Sequence, residues 1–293
     1  MDHTSHAVSA ESILTASSTT GSVARIFAAE TITSTFVRPG PVQILINVRG
    51  VDPVTTDGDP NIRQQPDSPE TDAAGQEWLE HWRRGPKRTR WSELPPQAGD
   101  AAPTLDLPEA RSGQVMPLSS VWEDGPALLL FWRHYGCSCG RDRAERLRNE
   151  YETYVAAGAR VALIGQGEPE RALAYAAANR LPADMPLFCD PGERAYRAFG
   201  LLEGGPIEVL FDAPDEYLRC EPAAGASLFE DRRDAGRPMV DNPWLLPGEF
   251  VVDGDGRLVT TFRYAFCEHW IDPRVNVAAI RSASGEVQPT FAS

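Results

Sequence analysis

No run of 18 consecutive apolar residues occurs in the 293-residue chain, whereas a helix that crosses a bilayer needs about 20 predominantly apolar residues. The first residues carry neither a basic segment nor a long apolar one, so a secretory signal is not expected either. These absences predict a cytoplasmic protein with no membrane partner. Cysteine is scarce, with five residues in all, too few to serve as a disulfide scaffold in a chain of this size. Positive charge is also short, 28 Lys and Arg against 42 Asp and Glu, for a formal net charge of −14. That balance disfavours a phosphate backbone, so no nucleic-acid partner is expected. The short basic cluster Arg83, Arg84, Lys87, Arg88 and Arg90 reads as a solvated helix end and loop. What is plentiful is ordinary: 42% of residues are apolar, enough to bury a sizeable core in one large or two modest domains.

The informative stretch is Leu128-Leu129-Leu130-Phe131-Trp132-Arg133-His134-Tyr135-Gly136-Cys137-Ser138-Cys139-Gly140-Arg141. Residues 127–132 are continuously apolar and few, which predicts a central strand covered on both faces. Beyond Cys139, apolar residues at Ala144, Leu147, Tyr151, Tyr154 and Val155 recur at steps of three and four, the period of a helix lying on a sheet. Cys137 and Cys139 therefore fall where a strand ends and a helix begins. The positive end of a helix favours thiolate over thiol, and Arg133, Arg141 and Arg143 are close in sequence, so a lowered cysteine pKa is expected. His134 reads in two ways, as a solvated surface histidine or as a group that shifts the cysteine pKa and moves protons.

The rest of the chain arranges itself around this stretch. Residues 1–75 are expected to form an N-terminal extension. Its first 22 residues read as a weakly ordered tail, residues 31–48 as a small hairpin about Arg38-Pro39-Gly40, and residues 51–75 as a linker dense in Asp, Pro, Thr and Gln. Residues 76–94 are predicted as a helical linker in which Trp78, Leu79 and Trp82 anchor onto the next domain. That domain spans residues 95–285. Within it, strands are predicted at 160–165 and 185–188 and helices at 169–179 and 192–200, with Asp190 as the cap of the latter, giving a βαβ alternation. Residues 203–246 form a long irregular insertion with one strand at 207–211, of the kind that is usually a functional lid or a family insertion. A strand, a Gly-Asp-Gly turn and a second strand follow from Pro247. An edge strand is expected at 261–266, then a closing helix capped by Asp272-Pro273 and running through Ile280.

Three segments carry a family resemblance: the strand into Gly136-Cys137-Ser138-Cys139, the Pro247 strand with Phe250-Val251-Val252-Asp253, and Phe266-Cys267-Glu268-His269-Trp270-Ile271-Asp272-Pro273-Arg274. With the Gly99-Asp100 turn ahead of Pro103, they make residues 95–283 resemble the thioredoxin-like superfamily, specifically peroxiredoxin-like redoxins of the AhpC/TSA type. The resemblance implies an α/β fold, a thioredoxin-like central mixed sheet flanked by helices, and an antioxidant thiol oxidoreductase with Cys137 as nucleophile. It also implies a cis Pro247 facing the cysteines, and a turn that brings Cys267 to them as a third thiol. Two positions depart from the peroxiredoxin pattern: His134 stands three before Cys137, and Leu130 occupies the proline position.

The predicted catalytic set is thus Cys137, Cys139, Cys267, His134, Arg133 and Pro247, with Cys139 or Cys267 resolving the oxidised nucleophile. A bond across the single residue between Cys137 and Cys139 would be strained and easily reduced. No cofactor is predicted. The expected partners are a small peroxide or disulfide substrate and a thiol reductant, either a thioredoxin-type protein or a low-molecular-weight thiol, and an oligomer is left open. Two other readings stand beside this one. In the first, Cys137, Cys139, Cys267 and His269 hold copper, zinc or an iron–sulfur cluster; in the second, the redoxin scaffold serves a biosynthetic step. Cys189 and Cys220 have no comparable context.

Overall fold

The computed structural model describes residues 68–135, 138–210, 219–234 and 239–285, with backbone alone for Ser138, Cys139, Arg141 and Leu210. All of them fall in one compact unit, Thr56–Ser293. The tail and hairpin expected within the first 48 residues lie outside the described residues.

Strand β3 (Ala127–Phe131) is buried at every position, as its continuous apolar run requires. It pairs in parallel with β4 (Arg160–Gly165) and antiparallel with β6 (Gly248–Val252). Around this centre lie β1 (Asp106–Glu109), β2 (Gln114–Pro117), β5 (Leu187–Cys189) and β7 (Leu258–Arg263). They complete a seven-stranded mixed sheet of order β2-β1-β5-β4-β3-β6-β7. Successive side chains of a strand face opposite ways, and the core divides accordingly. Leu128, Leu130, Val161, Leu163 and Val251 pack beneath α2 (Ser138–Ala156), α3 (Pro169–Ala178) and α7 (Pro273–Ala283). Leu129, Phe131, Ala162, Ile164 and Phe250 pack on the other face against α4 (Arg194–Ala198) and the 3₁₀ turn Leu118–Val121.

Local signals explain most helix ends. Asp190 accepts from the Arg194 and Ala195 N–H groups, 3.0 and 2.7 Å, and so caps α4. Asp272 accepts from Arg274 N–H at 2.9 Å ahead of α7, whose first residue is proline. On α2, Ala144, Leu147, Tyr151 and Tyr154 are buried as predicted, but Val155 is exposed, one step off the stripe.

Four expectations are corrected. Helix α1 (Pro69–Arg84) begins seven residues ahead of the expected 76, because Ser68 accepts from Thr71 N–H at 3.2 Å and Pro69 opens the first turn. Residues 207–211, expected as a strand, belong to helix α5 (Pro206–Leu210) as far as they are described, again with proline at the start. The insertion is not simply irregular, since it also holds α6 (Pro222–Asp234). The last strand ends at Arg263, three residues short of the expected 266.

Helix α1 has a partner in that insertion. Trp78, Trp82 and Trp244 stack in series with ring centroids 5.2 Å apart, and Phe229 lies 6.2 Å from Trp78. The approach of α6 depends on Gly225, where a Cβ would fall 2.2 Å from the Trp82 ring. This third core, beside the two on the sheet, is what α1 and the 203–246 segment bury together. No helix among the described residues is long and apolar enough to cross a membrane.

Candidate active site

The chain leaves β3 through Trp132, Arg133, His134 and Tyr135, all buried. Gly136 and the predicted nucleophile Cys137 lie outside the described residues, as does the side chain of Cys139, whose backbone is in the first turn of α2. Described residues on either side of them in the sequence line a pocket. Of the predicted residues, Arg133, His134, Pro247 and Cys267 all reach it, joined by Gly140 of α2.

Arg133 is 5% exposed, and its Nε donates to the Leu245 carbonyl at 3.1 Å and its Nη2 to the Pro243 carbonyl. Main-chain carbonyl oxygens accept from both of these donors. The 242–246 segment that supplies them is itself tied down by Gln166. That amide donates to the Arg133 and Asn242 carbonyls and accepts from Asn242 N–H at 3.0 Å. The Arg133 guanidinium lies beside Cys267; burial lowers the arginine's pKa and the cysteine opposes that shift. Cys267 is buried, with its N–H donating to the Glu208 carbonyl of α5 at 2.9 Å. Burial pushes its thiol above the ordinary value while Arg133 pulls the other way, so Cys267 rests as a thiol at neutral pH.

His134 is 1% exposed, which removes the surface reading. Burial, then the nearby charges of Arg133, Arg232 and Arg171, hold its pKa well below the ordinary histidine range. It is a neutral imidazole that resists protonation and supplies no positive charge at pH 7. Pro247 lines the cavity as expected, but not as a cis residue: the described residues contain no cis peptide bond. Its carbonyl accepts from Tyr264 N–H at 3.1 Å, extending the pairing of β6 with β7, and the trans form of an X–Pro bond is favoured by about 0.5–1 kcal/mol.

His269 turns elsewhere. Its Nδ1 accepts from Ala265 N–H at 3.2 Å, and its ring lies 5.0 Å from both Phe262 and Phe266. Among the described residues no three His, Cys, Asp or Glu side chains gather as metal ligands. The alternative set of Cys137, Cys139, Cys267 and His269 has its first two sulfurs outside the described atoms.

The arginine expectation splits. Arg143 reaches the cavity, but its Nε and Nη2 donate to Glu249 at 3.2 and 3.0 Å and its Nη1 to Glu150 at 3.0 Å. Two carboxylates meet that charge, and they raise the pKa of Arg143 above the ordinary arginine value despite its burial. It has no surplus charge for a thiolate. The side chain of Arg141 is not described, and Arg133 lies beside the Cys267 sulfur. Sequence reasoning missed Glu249, which also takes the Tyr264 hydroxyl and Asn276 Nδ2, the latter at 2.6 Å. The available signal was a lone carboxylate inside an apolar strand, a position natural chains rarely tolerate without a partner.

A seven-stranded mixed sheet with helices on both faces is the architecture of a thioredoxin-like protein. Residues 98–260 match the AhpC/TSA family, and the chain belongs to it. The thioredoxin-like protein AAED1, chloroplastic, of Arabidopsis thaliana is 30% identical over 112 residues, covering 38% of this chain and 42% of that protein. The chain thus spans less than half the length of that relative. Among solved structures, the peroxidoxin BcpB of Mycobacterium tuberculosis is 18% identical over 64% of this chain and 97% of its own, with a TM-score of 0.40. A putative thiol:disulfide interchange protein DsbE of Chlorobium tepidum is 20% identical over 65% and 99%, with a TM-score of 0.39.

Proposed function

We propose that this redoxin reduces a peroxide or a disulfide through a Cys137 thiolate, which Cys139 or Cys267 then resolves. The observation that carries the reading is Arg133: a buried guanidinium held by main-chain carbonyls, in one cavity with Cys267 and His134, four residues ahead of Cys137. In a low-dielectric site such a charge favours a nearby thiolate more than it would in water. With a peroxide, the thiolate attacks the terminal oxygen, the O–O bond breaks, and the departing oxygen leaves as an alcohol or water after taking a proton. The sulfenic acid so formed is attacked by a second thiol, releasing water and leaving a disulfide. Two external thiols, a dithiol of a thioredoxin-type protein or two low-molecular-weight molecules, then reduce it by exchange: the first forms a mixed disulfide, and the second displaces it and leaves as the external disulfide. Chemistry of this kind suits a reducing compartment such as the cytoplasm.

Alkylation with iodoacetamide at pH 7 tests the nucleophile. The wild type should show one thiol reacting faster than the ordinary cysteine pKa of about 8.5 allows. The fast phase should vanish in Cys137→Ser and survive in Cys139→Ser. A fast phase that persists without Cys137 overturns the assignment.

A further inference from the structure

The 242–246 segment is gripped from two sides at once. Successive carbonyls of an extended chain point opposite ways. Pro243 and Leu245 offer theirs to the Arg133 guanidinium, while Trp244 offers its own to Gly204 N–H at 2.7 Å. Glu203 and Leu245 pair as an isolated antiparallel bridge, and Leu246 N–H donates to the Leu202 carbonyl at 2.9 Å. One edge of the segment is thus turned to Arg133. The Trp244 side chain leaves in another direction. It is fully buried in the third core, its ring stacked on Trp82 and its indole N–H donating to the His81 carbonyl of α1 at 2.7 Å. Two further links tie the same stretch to α1. Asp241 N–H donates to the Ala74 carbonyl at 2.9 Å, and Glu203 accepts from both Asn242 Nδ2 and Arg84 Nη2 at 2.9 Å. Helix α1 lies ahead of residues 98–260, the part that matches the family, and its tryptophans belong to the third core. Its grip on Trp244 nonetheless reaches the two carbonyls that take Arg133, one residue away on either side.

We propose that Trp244 is a positioning residue through which α1 holds the Arg133 guanidinium beside Cys267. This rests on the reading of Arg133 as the charge of the site, and adds what keeps that charge in place. Without the indole N–H, Trp244 shifts in its stack, the carbonyls of Pro243 and Leu245 move with it, and the guanidinium follows them away from the sulfur. Cys267 then loses part of the positive charge that favours its thiolate. Both sheet cores remain, since neither contains Trp82 or Trp244.

The test uses the full chain and reads Cys267 directly. Reduced protein is alkylated with iodoacetamide over a series of pH values, and the Cys267 peptide is quantified by mass spectrometry, which gives a pH profile for that thiol alone. Arg133→Met removes the charge and should move the midpoint of the profile upward. Alkylation at a fixed pH below the midpoint should slow by about fourfold, a tenfold loss of thiolate partly offset by the greater nucleophilicity of a more basic thiol. Trp244→Phe keeps a ring but not the indole N–H; it should move the midpoint the same way and slow alkylation by about twofold. Trp82→Leu cuts the stack from the α1 side and should do likewise. In the Arg133→Met background, Trp244→Phe should add nothing, because its effect runs through the guanidinium. Additive slowing there, faster alkylation of Cys267 in the tryptophan variants, or an unmoved midpoint in both overturns the positioning role while leaving the charge of Arg133 standing. An Arg133→Met profile identical to that of wild type overturns the role and the reading of Arg133 together.

Discussion

Arg133 and Arg143 line the same cavity and are both buried, yet their charges are treated in opposite ways. Arg143 sits among Glu249, Glu150, Tyr264 and Asn276, and every one of its nitrogens donates to a carboxylate. Arg133 donates to two main-chain carbonyls and lies beside a thiol. The first arrangement is a closed structural unit that joins α2, β6 and α7. The second sets a buried guanidinium beside the Cys267 thiol. Two arginines equally near the cysteines in sequence therefore differ in surroundings: two carboxylates accept from Arg143, whereas a thiol lies beside Arg133.

The largest expected effect comes from breaking the closed unit. Glu249→Ala leaves Arg143 buried without its main counter-charge and should destabilise the fold by about 3–5 kcal/mol in urea denaturation. Arg143→Met combined with Glu249→Leu should recover most of that loss, since no charge is then stranded. A double variant as unstable as the single would mean that the pair contributes through packing and not through charge.

A smaller effect is expected from removing the open charge. Arg133→Met should slow iodoacetamide alkylation of the reactive thiol at pH 7 by about tenfold, a thiolate preference of roughly 1.4 kcal/mol. Arg143→Met/Glu249→Leu, measured alongside, should slow it less than Arg133→Met does. Equal slowing in both would erase the contrast between the two arginines.

The smallest effect concerns pH. His134 has a folded-state pKa well below its unfolded value of about 6.5. As pH falls below that value the unfolded chain takes up a proton that the folded site refuses, so this residue's contribution to stability is present above it and is lost on acidification. Between pH 7.5 and 5.5 the urea midpoint should fall, and His134→Asn should flatten that fall. An identical slope in the variant would mean that His134 is protonated in the folded protein without cost.

Much of the scaffold was legible in the residues. A five-residue apolar run makes a doubly covered strand whatever surrounds it, and residues 160–165 form the predicted strand end to end. Asp190 and Asp272-Pro273 act through backbone N–H groups only a few residues away, which is why their caps could be read from spacing alone. Residues 207–211 were not legible in the same way. Their β-branched apolar pattern suits either period, and proline at the first helical position decided for a helix as far as they are described.

What the sequence by itself determined is the set of local elements and their order, because hydrophobic period, caps and turn residues act over a few positions of chain. It also placed cysteine at the junction of the central strand and a helix, which is enough to raise thiol chemistry. Only the tertiary structure decided what surrounds the charges there. Glu249 lies 106 positions from the Arg143 it neutralises, and Leu245 lies 112 from the Arg133 whose guanidinium it accepts from. The same holds for the neutral state of His134, the trans Pro247 and the reach of Trp244 to His81. Electrostatic balance depends on distance and burial in three dimensions, and neither is a property of spacing along the chain.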